Sequence, residues 1–276
     1  MLIEEKALKN WIDNFYGYGG WQAPFWFVGY EEGGGDVPEE VAEKLNYFYN
    51  LKPHNTPTLC NIRELYRHVA FRIDGPRAEK FATLYDQRFG SQATLHGSWK
   101  NLISFVHGHR NAHLPAQQET LPDLLAYQKE SFASLSAPNE ALIQLYPLPA
   151  HNHAWYYAWL DVPQLPFLKS RALYQEHVYA SRMQSILQNI SMYKPEVVLM
   201  YGMDNINLLK ESVCKFFPAA KFKMVKAIKH QIPQHHRSDF DGTTLLITTQ
   251  IPALRHNRIE TGFDWYGFGR VVKTEG

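Results

Sequence analysis

Five short apolar runs constrain what this chain of 276 residues can fold into more than any other feature. Each run has the length of a β-strand and is rich in β-branched or aromatic residues. The runs span residues 25–30, 141–146, 197–201, 222–228 and 244–248. Segments with helical periodicity lie between them, at 38–51, 62–71, 99–107, 121–135, 173–192 and 205–217. Strands that alternate with helices predict an α/β fold with a central, mainly parallel β-sheet flanked by helices on both faces.

Composition and cysteine content narrow the class of protein. Hydrophobic residues make up 45% of the chain, with 16 Phe, 16 Tyr and 7 Trp, so a sizeable core can be buried. No internal repeat or Gly/Ser linker interrupts the sequence, which predicts a single domain over residues 1–276 with loop insertions. Two cysteines, Cys60 and Cys214, exclude a disulfide framework, an iron–sulfur cluster and an all-cysteine zinc site.

The N-terminal segment and the charge distribution bear on location and partners. No apolar run approaches the roughly 18 residues of a membrane span, and the first residues mix acids, bases and apolar positions. We therefore expect a cytoplasmic protein with no membrane partner. Residues 1–150 hold 13 Lys and Arg against 17 Asp and Glu, whereas residues 151–276 hold 15 against 10. This asymmetry is compatible with a polyanion partner for the C-terminal half.

In parallel sheets, ligands bind beyond the carboxyl ends of the strands. The first of these ends is the segment Gly29 to Asp36, GYEEGGGD. Its consecutive glycines allow close backbone approach to a ligand and leave amide groups free to bind it. Glu31 and Glu32 add carboxylates that suit activation of a water or stabilisation of a developing cation. The segment contains no P-loop or GxGxxG motif, and the alternative interpretation is a solvated acidic turn.

The second end continues into IQLYPLPAHNHAWYYAW, residues 143–159. Amides and imidazoles interleaved with large aromatic rings are typical of a pocket in which a nucleobase stacks and is read along its edge. A packed aromatic cluster without a binding role is the alternative. His151 and His153 form a His-x-His pair, but no third ligand stands at a recognisable spacing, so we predict no metal site.

The remaining strand ends carry polar and basic residues. TTQIPALRHNR, residues 248–258, places Arg255, His256 and Arg258 after a strand, where they can bind phosphates or form a solvated basic turn. After Gly202, the most direct interpretation of Asp204 is the N-cap of the following helix.

Taken together, these motifs resemble the uracil-DNA glycosylase superfamily over roughly residues 22–258, in order along the chain. The family's opening motif, written G-Q-D-P-Y-H, G-M-N-P-G or G-E-A-P-G, is similar to residues 29–33, with Glu32 replacing the proline. ALIQLYPLP resembles the family strand that ends in a base-reading Asn, with Gln144 at that position. PEVVLMYG, residues 195–202, looks like the strand that ends in Gly. The closing motif, H-P-S-P or H-P-A-A-L-L-R, is similar to residues 250–256, with Gln250 at the usual His position.

The resemblance implies a monofunctional DNA glycosylase that flips out a nucleotide and hydrolyses its N-glycosidic bond, without a cofactor. It implies DNA as the partner of a monomeric chain with no obligate protein partner. Its implied site residues are the following, by role: catalytic Glu31 and Glu32; base-binding Tyr30, Gln144, Tyr146 and Gln250; DNA-binding Gly33, Gly34, Arg255, His256 and Arg258.

The two Gln residues at Asn and His positions of the family predict that a modified pyrimidine, rather than uracil, is the substrate. Such bases occur in the DNA of some bacteriophages, which would give the chain a role in antiviral defence. Two other classes stay open: a non-catalytic nucleic-acid or nucleotide binding module on the same fold, and a hydrolase that acts on free nucleosides.

Overall fold

Eight strands form one sheet in the computed structural model, which describes residues 3–53, 55–115, 120–136, 138–150, 155–228, 231–253 and 262–274. Within these ranges the strands are β1 Phe15–Gly19, β2 Phe25–Glu31, β3 Thr58–Cys60, β4 Glu140–Tyr146, β5 Val197–Tyr201, β6 Lys223–Val225, β7 His235–Phe240 and β8 Thr243–Ile247. Their order across the sheet is β3-β1-β4-β2-β5-β8-β7-β6. The α/β prediction is therefore confirmed.

The prediction of a mainly parallel sheet is wrong, because the sheet is mixed. The four central strands, β4, β2, β5 and β8, are mutually parallel. However, β1 pairs antiparallel with β4, and β7 pairs antiparallel with both β8 and β6. The sequences of β1 and β7, FYGYG and HHRSDF, carry glycines or polar residues instead of a continuous apolar run, so the apolar pattern did not detect these two antiparallel strands.

Nine α-helices accompany the sheet within the described residues. They are α1 Glu5–Asn14, α2 Pro38–Asn50, α3 Ile62–Arg72, α4 Ala78–Phe89, α5 Gly97–Arg110, α6 Leu121–Glu130, α7 Arg171–Tyr193, α8 Ile206–Phe216 and α9 Trp265–Thr274. Local sequence explains several helix starts: the Asn61 side chain caps α3, Ser170 caps α7, and Thr120 forms a capping box at α6.

Two predicted elements are shorter than expected. The helix predicted over 121–135 ends at Glu130, and Ala133 then adopts a left-handed backbone conformation with φ of 50° that reverses the chain. The strand predicted over 222–228 is limited to Lys223–Val225, because as an edge strand it pairs on one side only, with β7. The helices α1, α4 and α9 had no counterpart among the predicted segments.

Helices cover both faces of the sheet. The ring of Phe27 in β2 contacts Phe105 of α5, with the centroids 6.0 Å apart. The neighbouring Trp26 instead contacts Tyr193 of α7, at 6.4 Å. Since successive residues of a strand point to opposite faces, α5 and α7 lie on opposite sides of the sheet. The central strands are thereby shielded from solvent, and the space beyond their carboxyl ends remains for a site.

Candidate functional site

The strand order defines one position where a ligand site is expected. Among the four central strands, β2 is followed in the chain by β4, which lies on one side of it. The next central strand, β5, lies on the other side of β2. The parallel strands β2 and β5 therefore flank a topological switch point, and such crevices bind ligands at the carboxyl ends of the strands. Tyr30 and Glu31 end β2, and Tyr201 ends β5 just before the turn 202–205. The candidate site is built around these residues.

Glu31 lies beside the first two turns of α7. Its Oε2 is 3.6 Å from a guanidinium nitrogen of Arg171, and its Oε1 accepts a hydrogen bond from the Gln175 amide at 3.5 Å. The two partners are four residues apart and share one face of the helix. The Glu31 side chain is 15% exposed. Burial raises the pKa of Glu31, and the Arg171 charge and the Gln175 hydrogen bond oppose that rise.

Two tyrosines stand next to this carboxylate. The Tyr30 and Tyr146 rings meet edge to face, with centroids 5.0 Å apart. Burial raises the pKa of the Tyr30 phenol, and the charges of Asp204 and Glu31 raise it further. Burial also raises the pKa of Tyr146. Both phenols therefore stay neutral; the Tyr30 ring is partly exposed, whereas Tyr146 is buried behind it.

Gln144 is buried in β4, opposite Gly29 of β2. A methyl group at Gly29 would lie 2.7 Å from Gln144 Oε1 and 2.9 Å from the Tyr201 hydroxyl, so the glycine leaves the space that these two groups occupy. Gln144 Oε1 has no hydrogen-bond partner within the described part of the chain. A buried polar atom without a partner is costly in a native fold, and an unseen ligand is one explanation for it.

The backbone of β4 beside Gln144 is fixed by Arg182 of α7. Its guanidinium donates hydrogen bonds to the carbonyl oxygens of Gln144, Leu145 and Phe15 at 2.5, 3.2 and 2.8 Å. It also lies over the Tyr16 ring, 3.6 Å from the centroid. Arg182 thus ties α7, the helix that carries Arg171 and Gln175, to the strand that carries Gln144.

Glu32, the second predicted catalytic carboxylate, has a different environment. It is 3% exposed, accepts a hydrogen bond from the Tyr18 hydroxyl at 2.6 Å, and lies 3.6 Å from the Lys44 ammonium. Burial raises the pKa of Glu32, whereas Lys44 and Tyr18 lower it. Burial alone would lower the pKa of Lys44, but Glu40 and Glu32 raise it above its ordinary value. Glu32 therefore belongs to a buried ionic cluster beneath the glycine loop.

The glycine loop itself is only partly free to bind a ligand. Gly33 and Gly34, predicted to contact DNA, are exposed. The amides of Gly35 and Asp36 instead donate to the Glu40 carboxylate at 3.0 and 3.1 Å. The expectation of free amides is therefore wrong for these last two residues, because Glu40 supplies their acceptor from α2.

The other predicted residues divide into two groups. The Gln250 carbonyl accepts a hydrogen bond from the Gly202 amide at 3.1 Å, which places this residue beside the end of β5. Arg255, His256 and Arg258 lie outside the described residues, as do His151, Asn152 and His153.

Sequence reasoning missed Arg171 and Gln175, and it assigned Asp204 a wrong role. The N-cap of α8 is Asn205, whose side chain accepts from the Leu208 amide at 3.3 Å. Asp204 is exposed, and its charge contributes to the raised pKa of Tyr30. The sequence feature that could have identified Asp204 is its position soon after the apolar run that forms β5. Nothing in the local sequence marked Arg171 or Gln175, because they reach Glu31 only through the packing of α7.

The described residues contain no group of three or more His, Cys, Asp and Glu side chains arranged to hold a metal ion. None of their helices is long and apolar enough to cross a membrane.

Comparison with known proteins gives no relative for this chain. No protein-family model matches the sequence, and neither a curated protein nor a solved structure matches it. Functional inference therefore depends on the chain's own motifs and on the geometry of the switch-point crevice.

Proposed function

We propose that this protein is a DNA glycosylase, a hydrolase that flips a damaged or modified pyrimidine nucleotide out of DNA, excises its base and leaves an abasic site. The observation that carries the proposal is Glu31, a largely buried carboxylate at the topological switch point that is paired with Arg171. Perturbed carboxylates in such crevices are typical of acid–base and cation-stabilising roles.

The chemistry requires a carboxylate near the sugar. Glu31 stabilises the positive charge that develops on the sugar as the C1′–N bond breaks and its electron pair departs with the base. Glu31 also accepts the hydrogen bond of the attacking water, whose oxygen forms the new bond to C1′. The water proton passes to the carboxylate and from there to solvent or to the released base.

Base recognition falls to the groups around this carboxylate. The partly exposed Tyr30 ring is the surface against which a flipped base stacks, and the buried Tyr146 ring supports it by an edge-to-face contact. The unpaired Gln144 Oε1 offers a hydrogen bond to the base edge, and Gln250 stands at the neighbouring strand end. Arg255, His256 and Arg258 remain our predicted contacts to the DNA backbone, as do Gly33 and Gly34.

The decisive experiment is single-turnover excision on a panel of DNA duplexes with different pyrimidine modifications, read as alkali-labile sites and by mass spectrometry of released bases. Glu31→Gln should lower the excision rate at least about a hundredfold while leaving DNA binding largely intact. Glu176→Gln, an exposed neighbour on α7, is the matched control and should behave as wild type. A near wild-type rate for Glu31→Gln would reject the assignment.

The same panel separates the alternative functions. A binding module would bind DNA and leave no abasic sites with any base. A nucleoside hydrolase would release bases from free nucleosides but not from the polymer.

The panel also tests the choice of base. Because Gln144 and Gln250 replace the Asn and His expected for uracil, we expect weak activity on uracil relative to hydroxymethylated or glucosylated cytosine. Fast uracil release without activity on the modified cytosines would end the modified-base proposal. The opposite pattern would support a role in antiviral defence, with phage restriction in cells as the next assay.

A further inference from the structure

One segment of the chain carries an unusual excess of positive charge. Residues 206–228 contain five lysines and a single acid, Glu211, although the whole chain has a net charge of only +1. We refer to these lysines as the lysine stripe: Lys210, Lys215, Lys221, Lys223 and Lys226. Lys210 and Lys215 lie on α8, and the other three lie on or beside β6, the edge strand of the sheet.

The charges of the lysine stripe are not neutralised within the described part of the chain. All of its members except Lys210 are exposed, and no ion pair joins any of them to a described carboxylate. Lys223 lies near Asp239, but that carboxylate is already paired with Arg237 at 2.9 Å. The stripe therefore presents positive charge to solvent.

The sheet register places the end of the stripe level with the candidate site. Successive pairings align Val28, Met200, Ile247, His236 and Met224 in one row across the sheet. β2 and β6 run in the same direction. Continuing the register by two residues along both strands brings Tyr30 of β2 level with Lys226, which directly follows the end of β6. Four strand spacings separate them, which is about 19 Å.

We infer that the lysine stripe is a second DNA contact, along which the sugar–phosphate backbone runs after it leaves the crevice at Glu31. This inference rests on the proposed function for the identity of the partner. The separation of about 19 Å corresponds to five or six nucleotides at about 3.4 Å per phosphate along one strand. Exposed lysines that form no ion pair with a described carboxylate, with Lys226 about 19 Å from the crevice, match the negative charge of a nucleic-acid backbone.

A structural explanation accounts for only part of the stripe. Lysines on an edge strand prevent sheets from pairing edge to edge, which explains Lys223. Lys210 and Lys215 lie on a helix, where this explanation does not apply. The two explanations also differ in what they predict. If the lysines protect the sheet edge, their loss should cause self-association. If they contact DNA, their loss should reduce the salt dependence of DNA binding.

The test is the salt dependence of binding to an unmodified DNA duplex, measured by fluorescence anisotropy with the full chain. The triple variant Lys215→Gln, Lys221→Gln, Lys226→Gln should weaken binding and reduce the slope of log K against log salt by about 3. A control triple variant, Lys6→Gln, Lys52→Gln, Lys129→Gln, removes the same charge elsewhere and should keep the wild-type slope.

The outcomes distinguish this inference from the proposed function. If the wild type binds DNA without excising any base, the proposed function fails, yet a reduced slope still supports the stripe. If the wild type excises a base and both triple variants keep its slope, the stripe inference alone is overturned. Absence of DNA binding by the wild type would overturn both. If the triple variant self-associates, the single variants Lys215→Gln and Lys226→Gln must each reduce the slope by about 1, and unchanged slopes would refute the inference.

Discussion

Glu140→Gln should stabilise the protein at neutral and alkaline pH. Glu140 begins β4 and has no exposed surface. Its Oε1 accepts a hydrogen bond from the Tyr127 hydroxyl at 2.7 Å, whereas its Oε2 has no partner among the described residues. Burial raises the pKa of Glu140 from 4.5 to about 7, against the opposing effects of Tyr127 and of the Ala133 amide.

The sign and size of the effect follow from proton linkage. The folded state binds the Glu140 proton more tightly than the unfolded state does, so ionisation at higher pH destabilises the fold. The penalty is absent below the unfolded pKa of 4.5, grows as pH rises, and is complete above the folded pKa of about 7. At about 1.4 kcal/mol per pKa unit, it amounts to about 1 kcal/mol at pH 5 and about 3 kcal/mol at pH 8.

Glutamine removes the penalty because it keeps the acceptor for Tyr127 and cannot ionise. The assay is urea denaturation of wild type and Glu140→Gln at pH 5 and pH 8, with exposed Glu130→Gln as the matched control. The advantage of Glu140→Gln should grow by about 2 kcal/mol between the two pH values, and the control should show no such growth. A variant that is less stable than wild type at pH 8 would refute the reasoning.

Three further substitutions test the environment of the site. Glu32→Gln should lower the free energy of unfolding by about 3 kcal/mol, because it leaves the buried Lys44 with one carboxylate fewer. The folded variant should retain most of its single-turnover rate. A loss of rate like that of Glu31→Gln would contradict the structural role of Glu32. Gly29→Ala should abolish excision while the far-ultraviolet circular dichroism spectrum stays native, because its methyl group displaces Gln144. Arg182→Met should lower the free energy of unfolding by about 3 kcal/mol or more in urea titrations, since it leaves three buried carbonyls without a donor.

The central strands could be predicted from the sequence because each is a short, predominantly apolar run. The 197–201 run was located with its true bounds, and the 25–30 run missed only the last residue. The antiparallel strand β1 escaped because its pattern includes Gly17, where a Cβ would overlap the Leu142 carbonyl oxygen. Only the folded neighbour explains that glycine, so a search for apolar runs could not find the strand.

Some residues of the candidate site could be predicted from local sequence, whereas others could be identified only from the fold. Glu31, Gln144 and Tyr146 stand at or near strand ends, and the rule for parallel sheets locates such residues without a structure. Arg171 lies 140 positions further along the chain than Glu31 and meets it only because α7 packs across the end of β2. Motif analysis therefore could not identify Arg171, whose charge opposes the rise in the pKa of Glu31.

The contrast between Glu31 and Glu32 explains how one loop can serve both the fold and the proposed chemistry. The two adjacent carboxylates have different partners: Glu31 contacts Arg171 and Gln175 of α7, whereas Glu32 contacts Tyr18 and Lys44. Glu32 turns inwards to Lys44, which also donates to the Gly33 carbonyl at 3.0 Å, while Glu40 binds the next amides of the loop. This buried cluster fixes the backbone on the C-terminal side of Glu31. Among the described residues Glu31 contacts one cation, Arg171 at 3.6 Å, and the Gln175 amide, and its side chain is 15% exposed, so the carboxylate is accessible to a substrate.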